Sequence, residues 1–259
     1  MALPRALPSA LLFALMLTPQ ASAATTAKAS YIINVGGTII GSADFVFKED
    51  GSSYSLDLDA NVTGLASLVA SGVAQAKSAG AVSASGLQSE RFDLTTRSGG
   101  DNFSIKVTYD NGDVSSFIVD PPIINNIDRV PIERKQLTGV NDMLSVFLLK
   151  GTALDKSLCT DRQKVFTGTE RFDLTFRYTR DDVASSKRTG YQGPVVLCTV
   201  KYVPVSGHYT TSELTRSLAE DDRILLWYAP IKDSGWYLPY RVLLTTSMGD
   251  ISMVLTKLD

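Results

Sequence analysis

The chain has 259 residues, with 25 Lys and Arg against 27 Asp and Glu, a formal net charge of −2, one histidine and two cysteines. That near-neutral balance, without a basic stripe, leaves no electrostatic footprint for nucleic acid and excludes that class of partner. With a lone histidine and no nucleophile elbow, phosphate loop, dinucleotide fingerprint or zinc motif, the sequence points to no catalytic residue, no metal site and no cofactor.

The N-terminus joins one positive charge at Arg5 to a short apolar stretch, Leu11 to Leu17, and an Ala21-x-Ala23 end. These are the parts of a secretory signal peptide, with cleavage expected after Ala23. The stretch is too short for a bilayer that needs about 20 apolar residues, and no later segment reaches that length, so no membrane-integral helix is expected. The reading is a signal peptide over 1–23 and a single β-rich periplasmic domain over 24–259. In an exported protein the two cysteines read as one structural disulfide, Cys159 to Cys198.

In the mature chain, Tyr31 to Val35 and Thr38 to Phe47 flank Gly36-Gly37, a hairpin signal, and Gly41 marks a bulge or bend. A turn at Glu49 to Gly51 leads into a strand with Tyr54, Leu56 and Leu58 on one face and Asp57 and Asp59 on the other. Gly64 to Gly72 spaces Leu65, Leu68 and Val69 as a short helix would. The stretch from Val73 to Ser85, rich in Ala, Ser and Gly, is open between a close backbone approach, a ligand groove and a mobile segment. Glu-Arg-Phe-Asp-Leu-Thr then occurs twice, at 90–95 and 170–175, each time as a strand. Between the copies, Asp110-Asn-Gly112 is the strongest hairpin turn, Pro121-Pro122 stops pairing, and Ile123 to Lys135 reads as a connector.

Asn141 to Lys150 carries a cap at Asn141 or Asp142, an apolar face of Met143, Leu144, Phe147 and Leu148, and Gly151 at its end. This spacing predicts a buried helix. Thr179 to Gln192 reads as an exposed loop inside the disulfide ring, and His208 to Asp222 as a polar interval. Trp227-Tyr228 and Trp236-Tyr237 each sit in Trp-Tyr-x-Pro on the two arms of a hairpin. Core packing is the first expectation for these four aromatics, and a ligand- or partner-facing platform the second.

Tyr31, Gly36-Gly37-x-x-x-Gly41, Asp142-x-Leu144-Ser145, Cys198, Trp227 and Leu238-Pro239-x-Arg241 together resemble the bacterial domain of unknown function 3108 family of exported proteins. The resemblance implies an envelope β protein without an assigned reaction, and it carries no catalytic residue across. With about a dozen strands and few helices, the expected fold is mainly β: a strongly curved antiparallel sheet, a spiral or incomplete β-barrel, wrapped around the helix at 141–150. The expected function is noncatalytic cell-envelope maintenance by binding an apolar or lipid group, or another envelope protein. The alternative is an envelope hydrolase using paired carboxylates, which needs two carboxylates facing one another across a cleft.

Overall fold

A computed structural model describes residues 24–62, 72–220, 223–246 and 249–259. The expected signal peptide and the helix expected from Gly64 lie outside the described residues, apart from Gly72, which begins a strand.

The described residues of the first half form seven consecutive strands: β1 (Thr25–Val35), β2 (Thr38–Glu49), β3 (Ser53–Val62), β4 (Gly72–Ser83), β5 (Gly86–Ser98), β6 (Asp101–Asp110) and β7 (Asp113–Asp120). Gly36 and Gly37 take φ of 55° and 84°, and Asn111 and Gly112 take 52° and 85°, the left-handed values that tight hairpins need. Opposite Ile33 and Asn34 the β2 register jumps from Gly41 to Ile39, so the bulge expected at Gly41 is present. A Cβ at Gly41 would lie 2.8 Å from the Asn61 carbonyl. The Ala/Ser/Gly stretch is a strand, β4, whose small side chains allow close approach: a Cβ at Gly80 would come within 2.1 Å of the Gln88 carbonyl.

The second half adds β8 (Leu149–Lys150), β9 (Arg162–Phe166), β10 (Arg171–Ala184), β11 (Gly193–Ser206), helix α1 (Glu213–Ala219), β12 (Ile224–Pro230), β13 (Trp236–Thr246) and β14 (Gly249–Leu258). All fourteen strands form one antiparallel sheet in the order β7-β6-β5-β4-β3-β2-β1-β14-β13-β12-β11-β10-β9, with β8 added against β13. The first and last strands therefore meet in its middle.

The sheet is strongly curved. Laid flat, the eleven steps from β6 to β9 at about 4.8 Å each would separate them by about 53 Å. Instead the Tyr109 hydroxyl on β6 donates to the Phe166 carbonyl on β9 at 3.0 Å, and the Phe117 and Phe166 rings lie 5.2 Å apart. The two edges are not paired directly. Residues 140–141 link them: the Val140 N–H donates to the Gly112 carbonyl, the Asn141 N–H to the Lys164 carbonyl, and the Phe166 N–H to the Asn141 carbonyl.

Three apolar clusters fill the fold. One, around Phe92, Val107 and Phe166, closes the β4–β7 end. The other two divide β11–β13 between them: Val195, Leu197, Trp227 and Trp236 belong to one, and Val196, Cys198, Tyr228 and Tyr237 to the other. Covering both faces explains why these strands read as unbroken apolar runs rather than alternating ones.

Two expectations fail. The segment 141–150 is not a helix: it makes a 3-10 turn at Ser145–Phe147, then extends at Leu148 and pairs Leu149 and Lys150 with Tyr237 and Trp236. Its Asn141 and Asp142 amides reach across the fold to the Lys164 carbonyl and the Ser89 hydroxyl, while those of Leu144, Ser145, Phe147 and Leu148 close the short turn, so the curved sheet wraps no helix there. The helix observed is α1, within the stretch read as polar; Ser212 caps it, its hydroxyl accepting the Thr215 N–H at 3.2 Å. In addition, β10 runs on to Ala184, leaving a loop of only 185–192 where Thr179 to Gln192 was expected to be exposed loop.

Candidate functional site: an apolar cavity and a buried carboxylate

Residues from both halves of the chain line an apolar cavity of about 570 Å³. Tyr31 of β1, Phe45 of β2, Leu58 of β3 and Met253 of β14 form one wall. Across β13, where Val242 pairs with Met253, the lining continues through Leu244, Leu226 of β12, Val200 and Tyr202 of β11, and Phe172 and Leu174 of β10. Met143, Leu144 and Phe147 of the 3-10 segment and Leu214 and Leu218 of α1 cover it. Leu214 and Met143 are exposed, so the cavity opens to solvent beside the helix. Volume and lining are those of a small-molecule site, which commonly measures roughly 300–1,000 Å³ and is mostly apolar with few polar groups.

Polar groups on its wall are few. The Tyr31 hydroxyl is used on the Pro239 carbonyl at 3.0 Å. Thr167 Oγ1 accepts the N–H groups of Thr169 and Glu170, and the Thr215 hydroxyl donates to Ser212 Oγ at 2.9 Å. Glu170 is the only formally charged residue on the wall among the described residues. It belongs to the second copy of the repeated hexapeptide, and the two copies sit in different surroundings. Arg91 of the first is exposed and pairs with Asp93, while Arg171 of the second is buried, 2.5 Å from Asp173, with donors on the Gln136 and Phe172 carbonyls.

Behind the cavity, the segment that failed to form a helix is held by Asp142, which is fully buried. One carboxylate oxygen accepts the hydroxyls of Ser78 at 2.6 Å and Ser89 at 2.5 Å, and the other accepts the N–H groups of Leu144 at 2.7 Å and Ser145 at 3.0 Å. Four donors, without a cation within ion-pair distance among the described residues, accommodate the buried carboxylate. The capping role read at Asp142 is therefore real, but it caps a 3-10 turn and ties that turn to β4 and β5. A smaller cavity of about 190 Å³, lined by Asn141, Ser145 and Gln163 among others, adjoins it.

Cys159 and Cys198 are disulfide-bonded, with Cα atoms 5.5 Å apart, joining the turn at 156–159 to β11. The four aromatics marked in the sequence are all buried, and the walls of the large cavity are built from other residues. Trp227 donates its indole N–H to Asp182 Oδ2 at 3.0 Å, and the Arg241 guanidinium lies 5.2 Å over its ring. The Trp227 indole is the main cause holding the Asp182 carboxyl below its ordinary range, followed by the Val183 N–H. Trp236 meets Phe47 edge to face at 5.3 Å. Tyr228 is fully buried with its hydroxyl unpartnered, and burial pushes its phenol well up; Tyr237 packs beside it in the same cluster. The β3 carboxylates lie on the other side of their strand from Leu58: Asp57 pairs with Lys77 at 2.9 Å, and Asp59 accepts from Gln75 at 2.7 Å.

Sequence reasoning missed Glu170 and α1. Glu170 lay in a strand motif with nothing to mark it, whereas Ser212 followed by Glu213, Leu214 and Leu218 was a legible capped, i, i+4 pattern.

No helix among the described residues is long and apolar enough to cross a membrane. No curated protein sequence matches the chain. A crystal structure of a DUF1329 family protein from Desulfovibrio piger aligns over 93% of this chain and 86% of its own, at 11% identity and a TM-score of 0.24. A family model, by contrast, matches residues 30–256, nearly the whole of the strand-forming region, and by that match the chain belongs to the family described as "Protein of unknown function (DUF3108)".

Proposed function

We propose that this protein is a noncatalytic, periplasmic binding protein that shelters an apolar chain, in the manner of a lipid carrier, in the service of the cell envelope. The observation that carries the reading is the 570 Å³ cavity walled by aliphatic and aromatic side chains from both halves of the sheet. At about 30 Å³ for a group the size of a water molecule or a methylene, it has room for on the order of 15–20 such groups, the scale of one acyl chain. Leaving such a cavity empty forfeits packing that most cores retain, so filling it with hydrocarbon gains dispersion and hydrophobic energy together. The periplasmic assignment rests on the signal-peptide pattern before Ala23 and on the use of both cysteines in a bridge.

The test is native mass spectrometry after gentle purification, paired with titration of a neutral apolar fluorophore. Bound lipid and saturable fluorophore binding are expected in the wild-type protein. Val242→Trp places an indole in the cavity from β13 and should abolish both while the protein unfolds at a temperature near wild type. Wild-type protein that binds neither lipid nor fluorophore in repeated preparations would overturn the proposal.

A further inference from the structure

We propose that the cavity selects an amphiphile whose apolar chain ends in an ammonium head, and that Glu170 is the residue that receives that head. The inference rests on the apolar-ligand reading above and adds the chemistry of the polar end.

Two polar side chains on the wall lack a hydrogen-bond or ion-pair partner among the described residues, the Glu170 carboxylate and the Tyr202 hydroxyl. The remaining polar wall residues are engaged internally: Thr167 with Thr169 and Glu170 backbone, Ser212 with Thr215, and Tyr31 with Pro239. Glu170 and Tyr202 share one region of the wall. Burial first, and then the Glu170 charge, push the Tyr202 phenol up, so it stays a hydroxyl donor at neutral pH. The neighbouring cations are engaged elsewhere: Arg129 donates to the carbonyls of Thr169 and Gly207, and Arg171 pairs with Asp173 and donates to the Gln136 carbonyl. A half-buried carboxylate at the edge of an apolar cavity attracts an N–H-donating cation through charge-assisted hydrogen bonds. The same carboxylate repels a carboxylate- or phosphate-headed chain in surroundings where screening by water is reduced.

The experiment displaces the neutral fluorophore from the purified protein with dodecylammonium, dodecanol and dodecanoate, three heads on one chain. Dodecylammonium should compete at least about tenfold better than dodecanoate, a difference of roughly 1.4 kcal/mol, with dodecanol between them and the gap narrowing at high salt. Glu170→Gln should bring the ratio near one, and Glu170→Lys should reverse it. Competition by lysophosphatidylethanolamine as well would place the head on a lipid; competition by the amine alone would place it on a free amine. Equal or better binding of dodecanoate in the wild type, or a ratio untouched by both variants while dodecanol still binds, overturns the assignment of Glu170 and leaves the cavity reading standing. Failure of fluorophore and dodecanol alike overturns both.

Discussion

Replacing both cysteines, Cys159→Ala with Cys198→Ala, tests how much of this fold depends on its single cross-link. The bridge closes a loop across a sequence separation of 39 residues. On the chain-entropy account a loop of that length restricts the unfolded chain by about 4 kcal/mol. Both residues are buried, at 2% and 0% exposure, within the cluster of Leu158, Val200 and Leu226. Losing the two sulfurs adds roughly 1 kcal/mol for the small voids left behind. The expected loss is therefore about 5 kcal/mol, a large part of the roughly 5–15 kcal/mol that typically holds a domain together. At about 2–4 °C per kcal/mol for a chain of this size, the unfolding temperature should fall by roughly 10–20 °C. Urea unfolding followed by circular dichroism measures the free energy, and a thermal scan measures the midpoint. A loss below about 1 kcal/mol would refute the reasoning, because the loop would then be constrained equally well without the bridge. Loss of a thiol-exchange activity with stability unchanged would mean that the bridge is redox chemistry and not structure.

Asp142→Ala removes the acceptor for two hydroxyls and two backbone N–H groups in a fully buried setting. It should destabilise by about 3–5 kcal/mol in urea titration, at the level of orphaned partners of a buried charge. Gly80→Ala drives a Cβ toward the Gln88 carbonyl, a backbone atom that cannot turn aside, and should cost about 1–3 kcal/mol by the same measurement. Asp182 has its folded pKa depressed, chiefly by the Trp227 indole, so its contribution is present above the unfolded value of about 3.9 and is lost as pH falls through the lower folded value. Tryptophan fluorescence should therefore hold steady from neutral pH down to about pH 4 and change below it, and Asp182→Asn should remove that acid-side change.

The strands of the first half were legible because one face is wet: Tyr54, Leu56 and Leu58 alternate with Asp57 and Asp59, and Gly36-Gly37 and Asn111-Gly112 mark the turns. The tryptophan hairpin and the cysteine pair were legible for similarly local reasons. What the chain hides is what depends on distant partners. Asn141 to Lys150 has helical spacing, yet Asp142 and Ser145 find Ser89, 53 and 56 residues away, and Ser78, 64 away from Asp142. Those bonds, with the pairing of Leu149 and Lys150 on β13, outweigh local propensity. The Thr179–Ala184 extension of β10 reads as loop because its residues are mostly polar and charged, although Asp182 there anchors Trp227. The cavity, too, is assembled from residues that separately read as ordinary core, and the curvature of the sheet brings Phe45 and Leu58 into one lining with Phe172 and Val242.

The pairing of β1 with β14 sets the order in which this protein can be completed. Each wing of the sheet is a meander of sequence neighbours that can zip up locally, but the seam runs from Ala29↔Leu258 to Val35↔Ile251. Contacts of such sequence separation are the slow ones, since a very long loop must close before they contribute. Until β14 arrives, β1 and β13 each present an open edge, the template on which strands of other molecules pair. The cavity is split in the same way, with Tyr31 on one side of the seam and Val242 on the other. Arrival of β14 is thus the event that joins two half-sheets with open edges and completes the lining of the cavity.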